Sequence, residues 1–243
     1  MVSLPHPEKK QGEDAAFCTP TTIGVADGVG GWARKGIDSG AYSRMLMASC
    51  EASTLTEPKA RLTDAYNNTS VPGSSTACIV HIDDAKLSTV NVGDSGFLLC
   101  RQKADKWTLL YESPSQCHYF NCPYQLGFGS RDTPEHGDTQ VIAVEPNDLV
   151  LLATDGLFDN ISPPHLVELL NLISAESVVR GHDASQAMQF LATTVVDVAH
   201  DVAKSHTRMT PFALAARQAG YKDTAGGKMD DITVVAALVQ CTD

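Results

Sequence analysis

The sequence lacks long hydrophobic runs and paired cysteines. No apolar stretch approaches the roughly 20 residues that a membrane helix needs, so we predict no membrane span. Residues 1–11 contain two prolines and no apolar core, which argues against a signal peptide. The seven cysteines include no Cys-x-x-Cys pair, which favours a reducing compartment over a disulfide framework. Cys117, His118 and Cys122 lack the spacing of a zinc finger.

Positive charge is also scarce. The chain has 18 Lys and Arg against 29 Asp and Glu, a formal net charge of −11, so we expect no nucleic-acid partner. A hydrophobic content of 43% with 19% charged residues indicates a globular protein. The 243 residues contain no internal repeat and no long linker, so we predict one domain over residues 1–243. Nothing in the sequence indicates an oligomer, and we expect a monomer.

Seven short segments rich in β-branched residues are predicted to be strands. They are residues 22–26, 76–82, 87–92, 97–100, 141–144, 149–154 and 232–239. Turn residues at 83–85 join the second segment to the third, and those at 93–96 join the third to the fourth, which predicts two hairpins. Hairpins imply antiparallel pairing, so a parallel sheet is disfavoured for the middle of the chain.

Three segments are predicted to be helices. One covers about residues 39 to 52, and another opens at Ser162 and Pro163. The third follows the capping residue Asp183 and places apolar residues on one face as far as Val202. This order of strands and helices predicts an α+β sandwich in which helices cover the outer faces of antiparallel sheets.

Aspartates stand at the ends of several predicted strands. Asp27, Asp94 and Asp155 each follow an apolar run, and Asp230 lies just before one. A single Asp-Gly pair is ordinary turn chemistry. Several desolvated carboxylates at one sheet edge would instead repel each other unless cations were bound. Further acidic residues accompany these four: Glu13, Asp14, Asp159 and Asp231.

Hard divalent cations relieve such repulsion, because Mg²⁺ and Mn²⁺ both prefer carboxylate, carbonyl and water oxygens. Gly28 would let its carbonyl approach a metal closely. The sequence has no P-loop lysine motif and no Gly-x-Ser-x-Gly nucleophile motif. Two cations about 3.5–4 Å apart would instead activate a shared water for in-line attack on a phosphoryl group.

Six ordered motifs resemble those of the metal-dependent protein serine/threonine phosphatases of the 2C type, and they extend from Gly12 to Leu238. They are residues 12–15 (GEDA), 25–32 (VADGVGGW), 73–77 (GSSTA), 91–96 (NVGDSG), 153–160 (ATDGLFDN) and 230–234 (DDITV). Residues 29–32 (VGGW), 118–121 (HYFN) and 226–229 (GGKM) are most similar to the organellar branch of that family, known from mitochondria and plastids.

The resemblance implies a four-layer α/β/β/α sandwich, with two central antiparallel β-sheets flanked by helices. It also implies that Asp27 bridges two Mn²⁺ or Mg²⁺ ions. The Gly28 carbonyl would bind one ion, and Asp155 and Asp230 would bind the other.

Five further acidic residues match positions with smaller roles in the family. Glu13 and Asp14 would act mostly through metal-bound waters. Asp94 and Asp159 match positions that hold a weaker third metal. Asp231 matches a position outside the ligand set.

Two positions depart from the family pattern. Family members often carry a phosphate-binding arginine four residues before the glutamate, and this chain has Lys9 there, followed by Lys10. Either lysine would bind phosphate or would simply be solvated; a lysine lacks the bidentate fork of arginine. Many members have a histidine after the Asp-Gly pair, proposed as the general acid, where this chain has Val29.

Residues 113–138 match the variable flap beside the catalytic cleft of the family. This segment contains His118 and His136. Either histidine could replace the missing acid, or each could be a surface or packing residue.

The resemblance therefore implies hydrolysis of phosphoserine and phosphothreonine in proteins by direct attack of metal-activated water, without a phosphoenzyme. Phosphorylated proteins would be the substrates. A catalytically weak relative that binds phosphoproteins is one alternative, since the usual His and Arg are missing. A hydrolase of small phosphate esters on the same metal site is another. The expected location is inside the cell, in a mitochondrion or plastid by resemblance, with the cytoplasm as the alternative.

Overall fold

The computed structural model describes residues 1–9, 11–222 and 224–240. Among these residues are fourteen strands, six α-helices and two short 3-10 helices. The strands are β1 (Val2–Leu4), β2 (Asp14–Cys18), β3 (Thr22–Asp27), β4 (Ser74–Ser75), β5 (Ala77–Asp83), β6 (Lys86–Val92), β7 (Gly96–Lys103), β8 (Lys106–Glu112), β9 (Cys117–Tyr119), β10 (Cys122–Pro123), β11 (Leu126–Gly127), β12 (Asp138–Ala143), β13 (Leu149–Ala153) and β14 (Ile232–Leu238). The α-helices are α1 (Ala41–Ala52), α2 (Pro58–Asn68), α3 (Asp155–Phe158), α4 (Pro163–Val179), α5 (Ala184–Ala203) and α6 (Pro211–Gln218), and the 3-10 helices are Gly30–Lys35 and Pro134–His136.

The chain divides into two compact units, each with its own sheet and core. The first unit contains Met1–His6, Phe97–Glu112 and the described residues from Glu145 onward. The second unit contains Pro7–Gly96 and Ser113–Val144.

The sheet of the first unit has the strand order β1-β14-β13-β7-β8. The pairs β1–β14, β14–β13 and β7–β8 are antiparallel. β13 reads Leu-Val-Leu-Leu-Ala and is buried along its whole length, as expected of a strand covered on both faces. Helix α5 packs against β14 and β1, and α4 packs against β8 and α5. Burial of the apolar helix faces forms the core of this unit.

The helices of the first unit begin at the residues that the sequence indicated. Pro163 occupies the first turn of α4, where its missing N–H costs no hydrogen bond. Asp183 caps α5, because its side chain accepts from Gln186 N–H while the Gln186 side chain accepts from Asp183 N–H.

The sheet of the second unit has the order β12-β6-β5-β3-β2, and all its neighbouring strands are antiparallel. Helix α1 packs against β2 and β3, and α2 packs against β5, β6 and α1. The core lies between these helices and the sheet and includes Leu46, Leu62 and Ile79, each fully buried. The flap segment also belongs to this unit, and its strand β11 pairs with β4.

The two sheets and their helices confirm the predicted α+β fold class, and each of the seven predicted strands corresponds to an observed one. The hairpin at residues 83–85 is also confirmed, because β5 and β6 pair and Asp84 and Ala85 take positive φ values. The hairpin predicted at residues 93–96 is wrong. β6 and β7 lie in different sheets, and the Gly93 carbonyl accepts a hydrogen bond from Gln116 N–H (2.8 Å) in the flap segment.

Within the described part of the chain, no helix combines the length and apolar character that crossing a bilayer requires.

Candidate metal centre

The second unit gathers three acidic residues at one end of the β2–β3 pair. Asp14 begins β2 and stands directly opposite Asp27, the last residue of β3. Glu13 precedes β2, and its carbonyl accepts a hydrogen bond from Gly28 N–H (3.1 Å). Opposite residues in an antiparallel pair have Cβ atoms roughly 4.5–5.5 Å apart, and like charges there are destabilising. A cation at this strand end would relieve that repulsion.

Thr76 connects Asp27 to the turn that contains Asp94. Its Oγ1 accepts from Asp27 N–H (3.0 Å), and its N–H donates to the Asp27 carbonyl (3.0 Å). The same Oγ1 lies 2.7 Å from Oγ of Ser95, which directly follows Asp94. These contacts fix the backbone of Asp27 and hold the Asp94 turn against the same strand end.

Gly28 lies where three backbone segments meet. A Cβ at this position would be 2.3 Å from the Ser39 carbonyl oxygen and 2.7 Å from the Glu13 carbonyl oxygen. Because both oxygens belong to the backbone, no side-chain rotation could relieve the clash. The close approach therefore gives this glycine a steric role beside the metal-binding role inferred from the sequence.

Lys9 lies next to this acidic cluster. Its Nζ is 2.6 Å from Glu13 Oε2, and its side chain is about one-quarter exposed (26%). Lys9 is thus paired with Glu13 rather than simply solvated. Lys10, the other lysine considered for phosphate binding, lies outside the described residues.

The first unit gathers a second set of carboxylates where β13 ends and β14 begins. These strands are antiparallel neighbours, and Asp155 lies two residues after β13 while Asp230 lies two residues before β14. Two hydrogen bonds of 3.1 Å hold this edge together, from Thr154 N–H to the Thr233 carbonyl and from Thr233 N–H to Thr154 Oγ1. Asp159 lies one turn after Asp155, to whose carbonyl its N–H donates (2.8 Å).

Asp231 supports this edge from the side. A Cβ on Gly156 would come within 2.0 Å of the Asp231 carbonyl oxygen, so only glycine permits the approach. Asp231 is 2% exposed, and its Oδ1 accepts from His6 N–H at 2.5 Å. Its own N–H donates to Asp230 Oδ1 (2.9 Å). Asp231 thus connects the chain at His6 with the residue that precedes it, Asp230.

Lys228 lies among the three carboxylates of the first unit. Its Nζ is 2.5 Å from Asp155 Oδ2, 2.7 Å from Asp159 Oδ2 and 3.3 Å from Asp230 Oδ2. Asn160 fixes the backbone of this lysine: its Oδ1 accepts from Lys228 N–H (3.0 Å), and its Nδ2 donates to the Lys228 carbonyl (2.8 Å). The Lys228 ammonium therefore lies within ion-pair distance of three carboxylates.

The proximity of these groups shifts their pKa values. Burial raises the pKa of Asp159 to about 7, and the neighbouring Asp155 carboxylate adds to the rise while Lys228 opposes it. Burial alone would lower the pKa of Lys228. The carboxylates of Asp155, Asp159 and Asp230 outweigh that effect and raise this pKa above its usual value. Lys228 is therefore charged, and its ammonium stabilises the ionised form of the carboxyl groups around it.

The donors at both strand ends fit a hard divalent cation. The acidic side chains there offer carboxylate oxygens, with no imidazole or thiolate among them, which suits Mg²⁺ or Mn²⁺ rather than zinc. Among the described residues, no group of three or more His, Cys, Asp or Glu side chains has by itself the arrangement of a metal site. In the first unit the Lys228 ammonium holds the position between the carboxylates, where a cation would share or replace its charge.

The two histidines of the flap segment have different surroundings. His118 Nε2 lies 3.0 Å from Asp132 Oδ2, and His118 and Val29 line the same cleft of about 990 Å³. His136 Nδ1 accepts from Thr133 N–H (3.0 Å) at the start of a 3-10 helix. The structure therefore places His118 and Val29 on the same cleft and gives His136 a local capping contact.

Asp132 orients His118. It is 6% exposed, and burial by itself would raise its pKa. Hydrogen bonds from His118 and from Gln125 N–H (3.0 Å) outweigh burial and lower the pKa of Asp132 below its usual value. The carboxylate is therefore ionised and holds the imidazole in place.

Sequence reasoning did not single out Lys228, Asn160 or Asp132 as site residues. The available signal for Lys228 was a lone lysine two residues before an acidic pair. Asn160 lay inside a quoted motif without an assigned role. Nothing in the local sequence indicates the partner of Asp132, because the contact with His118 joins residues fourteen positions apart.

Comparison with known proteins identifies the family, although no family model matches the chain. Probable protein phosphatase 2C 55 of Arabidopsis thaliana is 40% identical over 97% of this chain and 50% of its own length. Protein phosphatase PTC7 homolog fig of Drosophila virilis is 39% identical over 97% of this chain and 80% of its own length. The chain thus spans about half of the plant relative and most of the insect one.

Solved structures share the fold. The X-ray structure of the photosystem II phosphatase PBCP superposes with a TM-score of 0.85 at 27% identity, covering 98% of this chain and 97% of that one. The catalytic domain of the serine/threonine phosphatase PstP, solved with two manganese ions, gives a TM-score of 0.63 at 16% identity over 99% and 96% of the two chains. The sequence motifs, the two antiparallel sheets and these relatives agree: the chain belongs to the protein phosphatase 2C family of metal-dependent protein serine/threonine phosphatases.

Proposed function

We propose that this chain hydrolyses phosphoserine and phosphothreonine in proteins by direct attack of water, with two Mn²⁺ or Mg²⁺ ions as cofactors. Family membership supports the reaction class, and the manganese in PstP supports the cofactor. The observation that carries the proposal is the direct pairing of Asp14 with Asp27 at the end of β2 and β3. Two carboxylates that face each other in this way favour a bound cation.

The ligands that we propose are those expected from the family motifs. Asp27, the Gly28 carbonyl, Asp155 and Asp230 would bind the two ions, Glu13 and Asp14 would bind through waters, and Asp94 and Asp159 would hold a weaker third ion. When bound, such ions lower the pKa of a water and polarise phosphoryl oxygens. Residues 1–243 would act together as one catalytic domain, with residues 113–138 as its flap.

Protein groups would handle the charge and the proton of the substrate. Lys9, held by Glu13 at 2.6 Å, would attract the phosphate, with less directional binding than the usual arginine gives. The side chain of Val29 cannot act as a general acid. His118 lines the same cleft, and with Nε2 bound to Asp132 its Nδ1 would be the position that protonates the leaving alkoxide.

A comparison of substrates tests this function. Turnover of p-nitrophenyl phosphate, a phosphothreonine peptide and a panel of small phosphate esters would be measured after chelation and again with Mn²⁺. We expect Mn²⁺-dependent turnover of the first two, with the peptide preferred over the panel. Peptide binding without turnover would favour a catalytically weak phosphoprotein-binding protein. Preference for one small ester would favour a hydrolase of small phosphate esters. Trapping of a phosphorylated residue during turnover would overturn direct attack.

The chemistry of the cysteines and the motifs similar to the organellar branch support a proposal for the compartment. The six cysteines among the described residues form no disulfide, which supports a reducing location. We propose a mitochondrion or plastid, with the cytoplasm as the alternative, and organelle fractionation of cells that express the protein tests this.

A further inference from the structure

A cleft in the second unit begins beside the proposed metal ligand Gly28. The cleft, here called the Trp32 cleft, has a volume of about 990 Å³ and is lined by Val29, Trp32, Lys35, His118, Phe128 and Arg131 together with polar residues. Val29 directly follows Gly28, and its N–H donates to the Ser74 carbonyl (3.0 Å). A phosphorylated substrate residue bound next to Gly28 would therefore bring the neighbouring residues of the substrate to the Trp32 cleft.

Hydrogen bonds and a ring contact position the aromatic side chains that line the Trp32 cleft. Trp32 Nε1 donates to Ser74 Oγ (2.7 Å), and Ser74 Oγ donates to Gln125 Oε1 (2.6 Å). Phe128 meets Trp32 edge to face, with ring centroids 6.4 Å apart at 70°. Side chains that already have their bound positions lose less conformational entropy when a partner binds.

Phe128 exposes 73% of its surface to solvent. Its N–H donates to the Gly73 carbonyl (2.8 Å). It stands between Gly127 and Gly129, which have φ values of 138° and 78°. The backbone thus presents a large apolar ring to solvent beside Trp32, which is typical of a surface that receives a partner.

The charge of the Trp32 cleft is opposite to that of the chain. Lys35 Nζ lies 4.2 Å from the centre of the Trp32 ring, and Lys35 and Arg131 are both exposed. Among the described lining residues the one carboxylate is Asp132, and His118 and the backbone bind it. In a protein with a net charge of −11, this cleft attracts acidic groups.

We infer that the Trp32 cleft binds the stretch of the phosphoprotein substrate next to the phosphorylated residue. It selects a stretch with an aromatic side chain, which packs on Trp32 and Phe128, and an acidic side chain, which pairs with Lys35 and Arg131. This inference rests on the proposed phosphatase function and adds the sequence class of its substrate.

Charge reversal tests the electrostatic part. Wild type is expected to hydrolyse a phosphothreonine peptide with aspartates beside the phosphothreonine with a kcat/KM at least about fivefold above that for the matched asparagine peptide. The double variant Lys35→Glu, Arg131→Glu should lose this preference while its turnover of p-nitrophenyl phosphate is unchanged. Arg34→Glu is the matched control, since Arg34 is exposed on the same 3-10 helix but does not line the cleft; it should retain the preference.

Truncation tests the apolar part. Phe128→Ala should lower kcat/KM about tenfold for a peptide with a flanking tryptophan and leave a matched alanine peptide unaffected. Tyr221→Ala, at a tyrosine that is 60% exposed in the first unit, should leave both peptides unaffected. Thermal unfolding of each variant checks that it is folded.

The outcomes separate the inference from the function on which it rests. Absence of Mn²⁺-dependent p-nitrophenyl phosphate turnover in wild type would refute the proposed function. Normal turnover of that ester with equal rates for the matched peptides, or a wild-type preference for basic flanks, would refute the inference alone.

Discussion

At the scale of single residues, buried carboxylates in this protein differ in how their positively charged partners are arranged. Asp148 is 1% exposed, and Arg101 holds it with two hydrogen bonds of 2.7 Å, an arrangement that satisfies the buried charge. Asp155 and Asp159, by contrast, share the ammonium of Lys228 with a third carboxylate. Arg101 thus binds Asp148 through two donors, whereas three carboxylates converge on the Lys228 ammonium, and a divalent cation would add positive charge among them.

The first prediction concerns Asp27. Asp27→Asn removes the proposed bridging carboxylate but keeps the side-chain shape, so Mn²⁺-dependent turnover of p-nitrophenyl phosphate should fall by at least about 10²-fold. Circular dichroism and thermal unfolding should show an intact fold. Asp105→Asn, at an exposed turn with a φ of 62° that asparagine also adopts, is the control and should retain activity. Substantial activity in Asp27→Asn would refute the bridging role.

The second prediction concerns the proton for the leaving group. His118→Gln should lower turnover of a phosphothreonine peptide by about 10²-fold, because its alkoxide leaving group needs a proton. Turnover of p-nitrophenyl phosphate should change little, since nitrophenolate leaves without one. His136→Gln should affect neither substrate. An equal loss on both substrates would assign His118 a structural role instead.

The third prediction concerns Lys228. Lys228→Gln should lower the free energy of unfolding by about 3 kcal/mol in the presence of a chelator, because it removes the ammonium that pairs with Asp155, Asp159 and Asp230. Saturating Mn²⁺ should recover most of this loss by supplying positive charge to the same carboxylates. Urea unfolding with and without Mn²⁺ measures both values. Lys204→Gln, which removes an exposed pair with Asp201, should cost under about 1 kcal/mol in either condition.

At the scale of elements, local composition decided which parts of the fold were predictable. The strands found from the sequence are largely buried and rich in β-branched residues, such as β3 and β14. β2 reads Asp-Ala-Ala-Phe-Cys and contains no β-branched residue, and α2 has a weak apolar face. Both were missed, because their stability comes from neighbours: β2 from pairing with β3 and α2 from packing on α1.

The wrongly predicted hairpin has a related cause. Its Gly-Asp-Ser-Gly sequence is suitable for a tight turn, but the local sequence does not determine which sheet the next strand joins. Contacts that are distant in sequence decide it, such as the bond from Gln116 N–H to the Gly93 carbonyl and that between Thr76 and Ser95. The same segment brings Asp94 to the end of β3, so the error concerned the fold and not the candidate site.

The fourth prediction belongs to the junction of β2 and β3. Gly28→Ala would press a Cβ against the carbonyl oxygens of Ser39 and Glu13, so the free energy of unfolding should fall by about 1–3 kcal/mol. The displaced backbone should also weaken Mn²⁺ binding, as measured by calorimetry. Gly31→Ala is the matched control, since nothing lies within 4 Å of its Cβ position. Equal stability of the two variants would show that the close approach is not needed.

At the scale of the whole molecule, the acidic residues of the candidate site were predictable as a set because they recur in ordered motifs at strand ends. Their local geometry was predictable only in part. The pairing of Asp14 with Asp27 depends on strand register, and the place of Lys228 depends on a bond from its N–H to Asn160 across 68 residues. Both features arise from the tertiary fold. A sequence pattern therefore predicts the acidic residues of a site but not the residues that pair with them.

The net charge of the molecule provides the last prediction. Two divalent ions would change the formal charge from −11 to −7, with the whole change confined to the carboxylate sets. Because the ions bind the folded state, Mn²⁺ at 100 times its dissociation constant should raise the free energy of unfolding by about 2.7 kcal/mol per independent site. Urea unfolding at increasing Mn²⁺ measures the rise, with a matched increase in ionic strength by NaCl as the control for screening. Asp27→Asn should show a smaller rise than Asp105→Asn. An equal rise with Mn²⁺ and NaCl would mean that the carboxylates are merely screened, and the metal centre would then be refuted.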